Sequence, residues 1–285
     1  MSVCRAQFWL RMWALLQLHN KKMGLGYFSE LLEIAKRAAS SARAVHRRAL
    51  DRHNVKAHIK SSDYDLVTDV DRESEKELVR VIRAARPNDE IIGEEGTALR
   101  GDSGVRWILD PLDGTTNFVH GYPMHAVAVG VEVDGENVVG VVHDTFSDRV
   151  YAGIVGEGAT CDDRKIAVRG ESDLKHALIG TGFLPDEEVR RAQAELLRHV
   201  LPRVRDVRRS GCPSLDICSV AAGALDGFYE CGLGQWDISA ASAIAKAAGA
   251  KITLLDSVVF PNPFLVVANP ALEPALVKLL REAGV

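Results

Sequence analysis

The chain contains no apolar run approaching the ~18 residues that a membrane span needs. It contains no C-x-x-C pair, and its five cysteines (Cys4, Cys161, Cys212, Cys218 and Cys231) are scattered and odd in number. That arrangement gives no disulfide framework; it reads as free, buried thiols in a reducing compartment and predicts a cytoplasmic protein. Positive charge is not in excess: 35 Lys and Arg stand against 39 Asp and Glu, a net charge of −4, so nothing predicts a nucleic-acid partner. Internal repeats and low-complexity linkers are also missing. What remains is an ordinary globular composition, 47% hydrophobic and 26% charged over 285 residues. That length buries a sizeable core without disulfide or structural-metal support.

The first 22 residues stand apart. They carry Arg5, Arg11, Lys21 and Lys22 with no acid, alongside Phe8, Trp9, Leu10, Trp13, Leu15, Leu16 and Leu18. Arg11 splits the apolar run and no small-residue cleavage site follows, which argues against a signal peptide. An amphipathic surface helix fits the pattern. We read the segment instead as an extension from an upstream start codon, with the working protein beginning near Met23.

Periodicity predicts helices over 28–50, 72–86, 186–200, 214–224, 238–249 and 271–282, with Asp71 as the N-cap of the second. Strands are expected at 91–92, 105–110, 124–133, 137–143, 149–155, 165–168, 177–181, 226–230, 251–255 and 264–268, with Asp134-Gly135 as a hairpin turn. The first part runs helix, helix, then largely antiparallel strands. The second mixes the two, with a boundary near 170–176, which gives 1–22 as an extension, 23–172 as an N-terminal half and 173–285 as a C-terminal half. The pattern is α+β or α/β in layers rather than a regular βαβ series.

Four segments carry chemistry-bearing residues. The run Trp107-Ile108-Leu109-Asp110-Pro111-Leu112-Asp113-Gly114-Thr115-Thr116-Asn117-Phe118 delivers two carboxylates where a strand should end, followed by a flexible, hydroxyl-rich segment. Asp-Pro and Asp-Gly are ordinary turn formers, so alone this is a turn. Asp71, in Asp65-Leu66-Val67-Thr68-Asp69-Val70-Asp71, is alone a helix cap, as is Asp237 in Gln235-Trp236-Asp237. Glu94 and Glu95, in Gly93-Glu94-Glu95-Gly96, are alone a solvated turn. Together the four place acids at the ends of separate elements with a hydroxyl beside the central pair, as a multi-metal site requires. Oxygen ligands suit hard divalent cations, and N–H groups after Gly114 suit a phosphate.

The segments Asp65 to Asp71, Gly93-Glu94-Glu95, Trp107 to Phe118 and Trp236-Asp237 resemble, in order and spacing, the inositol monophosphatase family, and the likeness spans residues 28–282. The resemblance implies a layered α-β-α-β-α sandwich, a homodimer, and Mg²⁺-dependent, lithium-sensitive phosphatase activity with two to three ions. It implies a first metal site at Glu94, Asp110 and the Leu112 carbonyl, and a second at Asp110, Asp113 and Asp237. Glu94 also faces a third ion through water. Asp71 and Thr115 match the pair that positions and deprotonates the attacking water, with Glu94 also in the catalytic set. Gly114 and Thr115 match the phosphate-holding N–H groups.

For the substrate, Phe228-Tyr229-Glu230 resembles the segment whose acid, with Asp113 and Asp237 nearby, accepts hydrogen bonds from inositol hydroxyls; alone, Glu230 is a surface acid at a strand end. The expected reaction is hydrolysis of myo-inositol monophosphate to inositol and phosphate by metal-activated water, on a small phosphorylated polyol. Histidinol phosphate, fructose 1,6-bisphosphate and 3′-phosphoadenosine phosphates are the rival substrates, and an accessory role in transcription complexes is the rival class. Arg209-Ser210-Gly211-Cys212-Pro213-Ser214 departs from the family: Pro213 has no N–H where a small residue usually donates one to the substrate ring.

Overall fold

The computed structural model describes residues 25–51, 57–59 and 66–285. The expectations for residues 1–22, Met23 and Asp65 lie outside them. Helix α1 (Leu25–Asp51) buries Phe28, Leu31, Ile34, Ala35, Ala38, Ala39, Ala42 and Val45, the 3–4 spacing of a helix with one apolar face. Strands β1 (Ala57–Ile59) and β2 (Leu66–Thr68) pair antiparallel ahead of helix α2 (Asp69–Ala85). Thr68, not Asp71, is the N-cap of α2. The Thr68 hydroxyl accepts from the N–H groups of Val70 and Asp71, and Asp71 reaches back to accept from the Thr68 N–H at 2.8 Å. This capping box places Asp71 at the third helical position.

Eight strands form the first sheet: β3 (Glu90–Gly93), β4 (Ala98–Leu99), β5 (Val105–Asp113), β6 (Ala126–Val133), β7 (Glu136–Asp144), β8 (Arg149–Ile154), β9 (Gly158–Cys161) and β10 (Arg164–Ile166). Their order is β10-β9-β8-β7-β6-β5-β3-β4, antiparallel except where β3 meets β5. The Asp134-Gly135 turn joins β6 to β7 with φ of 52° and 82°, as a two-residue hairpin demands. After the short helix α3 (Thr115–His120) and this sheet come β11 (Leu178–Thr181), α4 (Glu187–Val200), β12 (Asp206–Arg208), α5 (Pro213–Ala221), β13 (Gly227–Cys231), α6 (Gln235–Ala247), β14 (Lys251–Leu255), β15 (Phe264–Ala268) and α7 (Glu273–Glu282). The second sheet runs β12-β11-β13-β15-β14.

Five layers stack, and three of the hydrophobic cores lie between them, the middle one on both faces of its helix layer. Helices α1 and α2 pack on one face of the first sheet through Leu31, Ala38, Leu78 and Ile82 against Trp107, Leu109, Val129 and Val141. Helices α5 and α6 lie between the sheets, with Leu215, Ile217, Ala241 and Ile244 against Ala126, Ala128 and Val142 on one side and Phe228, Leu265 and Val267 on the other. Helices α4 and α7 cover the outer face of the second sheet. The architecture is the α-β-α-β-α sandwich that the resemblance implied.

Side-chain size along β6 explains how closely α6 approaches. Val127, Val129 and Val131 fill the α1/α2 side, while Ala126, Ala128 and Gly130 face α6. Gly130 pairs with Gly140 and Gly140 with Gly153, so three glycines line up across β6, β7 and β8. A Cβ on Gly130 would collide with Ser239, one on Gly140 with the Ala240 carbonyl, and one on Gly153 would press against Ile244. The groove seats α6, and α6 carries Asp237 at its N-terminal end.

Strand β5 does not stop at Asp110, as the sequence predicts, but continues to Asp113 through a bulge. Asp110 pairs with Ala128 and Asp113 with Ala126, so the extra residue falls between the two acids, beside Pro111. Proline is tolerated in a sheet at such a bulge. In a regular strand, residues three apart point to opposite faces; one inserted residue turns both acids the same way. Helix α1 braces the bulge. The Nε2 of buried His46 lies 2.9 Å from the Pro111 carbonyl, which can only accept, so Nε2 carries the proton. Its Nδ1 then faces the Thr145 hydroxyl at 3.2 Å; that hydroxyl also lies 3.2 Å from the His125 carbonyl, to which it can donate, and 2.5 Å from His125 Nδ1.

Two outcomes follow from this packing. Gly140→Ala should lower the urea-unfolding free energy by about 1–3 kcal/mol, the scale of overpacking; an unchanged midpoint would remove α6 contact as the reason for the glycine. Burial holds the His46 imidazole down to about 3 and His125 to about 4. With the folded value below the unfolded one of about 6.5, the unfolded chain binds the extra proton, so this stabilisation is present near neutrality and falls as pH drops through the window below about 6.5. The stability margin of the wild type over His46→Gln should therefore shrink by about 2 kcal/mol between pH 7 and pH 5. A margin independent of pH would mean that His46 titrates normally.

Candidate active site

The bulge in β5, the start of α3 and the start of α6 meet at one point. Asp110, Asp113 and Asp237 each offer a carboxylate oxygen there, all within 4.8 Å of one another. Asp110 and Asp113 are buried and Asp237 is half-buried. Asp237 is the third residue of α6 rather than its cap, and its carboxylate accepts from the Gly234 N–H at 2.6 Å.

One oxygen of Asp110 accepts from the Leu112 N–H at 3.0 Å, while the other is buried with no hydrogen-bond partner. Burial pushes its pKa well above the usual carboxylate value, and the charges of Glu94, Asp113 and Asp237 push it further. A buried, orphaned oxygen surrounded by acids fits a hard divalent cation, and every side-chain donor in the set is oxygen. Glu94 lies outside the tight triad but close enough to be the strongest charge on Asp110.

Asp113 is held by α5. Its Oδ2 accepts from the Ser214 N–H at 2.8 Å, the Ser214 hydroxyl at 2.5 Å and the Cys212 thiol at 3.0 Å. Burial raises its pKa, and the Ser214 and Cys212 bonds pull it back. The Gly114 N–H also donates to this carboxylate. Gly114 itself sits at φ 85°, which turns the chain from β5 into α3. Burial, and then contact with Asp113, raise the Cys212 thiol far above its ordinary pKa, so it is a donor and not a nucleophile.

Thr115 bridges two elements. Its Oγ1 lies 3.1 Å from Asp71 Oδ1 and 3.0 Å from the Leu112 carbonyl. Asp71 Oδ2 is occupied by the N–H and hydroxyl of Thr68. Burial raises the Asp71 pKa, the Thr68 bonds oppose this, and the Glu95 charge adds to it.

Glu230, on β13, is buried rather than a surface acid at a strand end, with its carboxylate against the Cα of Gly182. Burial drives its pKa well up; Asp237 raises it further and Arg209 lowers it. It therefore shares the electrostatic neighbourhood of Asp237 and Asp113. Nearby, burial raises Asp216 to about 7. Pro213 is the first residue of α5, where a missing N–H costs no helical bond.

Sequence reasoning missed Ser214, Cys212, Asp216 and Arg209 as neighbours of these acids. Ser214 adjoined a proline singled out for another reason, and no local pattern marks it as a partner of Asp113, 101 residues earlier. Among the described residues Cys161, Cys212, Cys218 and Cys231 are free, and no helix is long and apolar enough to cross a membrane.

The chain matches the pattern of the Inositol monophosphatase family over residues 28–284. It is 46% identical over 205 residues to the inositol-1-monophosphatase SuhB of Mycobacterium tuberculosis, covering 68% of this chain and 70% of that one. It is 39% identical over 222 residues to a protein of Pasteurella multocida named Nus factor SuhB, covering 77% and 83%. Its fold superposes on the extragenic suppressor protein suhB from Bartonella henselae with a TM-score of 0.81, at 31% identity over 89% of this chain and 98% of the other. Sequence, fold and the meeting of the bulged acids with Asp237 agree, and the chain belongs to the inositol monophosphatase family.

Proposed function

We propose that the protein is a Mg²⁺-dependent phosphatase that hydrolyses myo-inositol monophosphate to inositol and phosphate. The observation that carries this reading is the orphaned oxygen of buried Asp110 within the Asp110–Asp113–Asp237 cluster. In this reading Glu94, Asp110, the Leu112 carbonyl, Asp113 and Asp237 would hold two to three ions. Mg²⁺ bound there would polarise the phosphoryl group and neutralise charge on the attacking and leaving oxygens.

The remaining work falls to the chain. Thr115 and Asp71 receive the proton of the attacking water: Thr115 hydrogen-bonds Asp71, whose raised pKa makes it a stronger base than an exposed carboxylate. Gly114 and Thr115 N–H groups, at the turn into α3, hold the phosphate. Ser214 and Cys212 fix one Asp113 oxygen and thereby aim the other. Glu230, with Asp113 and Asp237, accepts substrate hydroxyls, and the absence of an N–H at Pro213 removes one further donor to the ring. The reading includes lithium sensitivity, a homodimer and a cytoplasmic location.

The similarity to a protein named a Nus factor favours a second reading, an accessory role in transcription, which is compatible with the first. An Asp113→Asn variant separates them: rescue of a deletion strain by the inactive protein assigns the cellular role to the surface, and failure assigns it to catalysis.

Purified protein with Mg²⁺ should release phosphate from D-myo-inositol 1-phosphate, and lithium should block the release. Absence of release by folded protein that binds Mg²⁺ would reject this substrate while keeping the metal site. Asp113→Asn or Glu94→Ala should each lower kcat by about a hundredfold or more, the scale of deleting one charge-stabilising group, with the circular dichroism spectrum retained. Near-wild-type turnover in either variant would overturn the assignment of the site.

A further inference from the structure

We infer that Glu75 is a positioning residue that fixes Glu94 toward Asp110. The inference rests on the reading of Glu94 as a metal ligand. Glu94 sits in the tight turn between β3 and β4, a place where a carboxylate would ordinarily be loosely held. This one is not.

The backbone N–H groups of the turn can be followed one by one. Gly93 donates to the Thr97 carbonyl at 2.8 Å, Glu94 to the Leu109 carbonyl at 3.1 Å, and Gly96 to the Gly93 carbonyl at 3.4 Å. The two others go to a single side chain: Glu95 donates to Glu75 Oε2 at 2.8 Å and Thr97 to Glu75 Oε1 at 3.0 Å. The Thr97 hydroxyl adds a third bond to Oε1 at 2.6 Å. Glu75 is buried, and its carboxylate lies so close to the Cα of Gly93 that a Cβ there would collide with it. A glycine at 93 is thus required by Glu75, not by an unusual φ.

Asp71 and Glu75 are four residues apart on α2 and so share one helical face. Asp71 reaches Thr115, at the start of α3, while Glu75 reaches the turn that bears Glu94. One rigid helix therefore sets the spacing between the proposed proton acceptor and the proposed metal ligand. A carboxylate with two acceptor oxygens suits this role because all three incoming groups are donors. In Glu75→Gln one oxygen becomes an NH₂ group, which cannot accept from the Glu95 or Thr97 N–H it would face.

The test is Mn²⁺ binding to the full-length protein, followed by electron paramagnetic resonance of the free ion, alongside the Mg²⁺ dependence of phosphate release. Glu75→Gln should weaken Mn²⁺ binding about tenfold, the scale for partners that orient metal ligands, while kcat at saturating Mg²⁺ stays within about threefold of wild type. Thr97→Val, which deletes one donor and keeps the carboxylate, should shift Mn²⁺ binding in the same direction by less. A Glu75→Gln protein that melts earlier but binds Mn²⁺ like the wild type would make Glu75 a packing residue and overturn the inference. If Glu75→Gln does not fold, unchanged Mn²⁺ affinity in Thr97→Val overturns it on the same criterion. Glu94→Gln is the control: if it leaves Mn²⁺ binding unchanged, the ligand reading of Glu94 fails and takes this inference with it. If Glu94→Gln weakens binding and Glu75→Gln does not, only the role of Glu75 falls.

Discussion

Mutual repulsion among buried carboxylates is the constraint on which the rest of this structure depends. Asp110, Asp113 and Asp237 are brought together, Glu94 acts on the same point, and the charges acting most strongly on Asp110 are all acidic. Arginine or lysine partners would relieve the strain but would also cancel the affinity for a cation. The fold uses helix N-termini instead, whose partial positive charge and free N–H groups favour a carboxylate without neutralising it. Asp71 and Asp237 are the third residues of α2 and α6 and accept from the N–H groups of Thr68 and Gly234. Asp113 accepts from Ser214 in the first turn of α5. Asp110 sits in the strand bulge, at no helix terminus, and it keeps an oxygen with no partner and a pKa pushed well up.

That arrangement explains the five layers as more than packing. Helices α5 and α6 occupy the middle layer, between two sheets, with their N-termini against the end of β5. Helix α6 approaches the first sheet closely because β6, β7 and β8 present glycine in register beneath it. On the opposite face, α1 braces the same bulge through His46 and Pro111. The bulge is therefore gripped from both faces of one sheet, which is how a β5 segment containing proline and two acids stays ordered.

Legibility from sequence followed the range of the interactions. Asp110, Asp113, Gly114 and Thr115 are contiguous, so an unusual strand-to-turn run advertises them. Helices and strands with strong periodicity were readable for the same reason. The cap of α2 was misplaced because Asp69, Asp71 and Thr68 are all competent caps within four residues, and only the geometry of the box chooses Thr68. The bulge was invisible because whether Asp110 and Asp113 face the same way depends on pairing with β6. Gly130, Gly140 and Gly153 have no common local pattern; they become one feature only when three strands align. Ser214 and Glu75 act across 101 and about 20 residues, where no periodicity operates.

The buried acids also couple protonation to metal binding. A raised carboxylate pKa means that the folded, metal-free chain holds protons on Asp110 and Asp113 to higher pH than the unfolded chain does, and a cation bound there would displace them. For these groups the folded value lies above the unfolded one, so they favour the folded metal-free chain at low pH and lose that contribution as pH rises through the folded value. His46 and His125 have the opposite sign, since burial lowers them. As pH rises, the metal-free protein thus gains at its histidines while it loses at its carboxylates. A cation held by these oxygens would remove the second loss by replacing the protons. The same oxygens whose crowding is unfavourable in the metal-free chain are oxygen donors of the kind that suits a hard, highly charged cation, and helix N-termini, the glycine groove and the braced bulge hold them together.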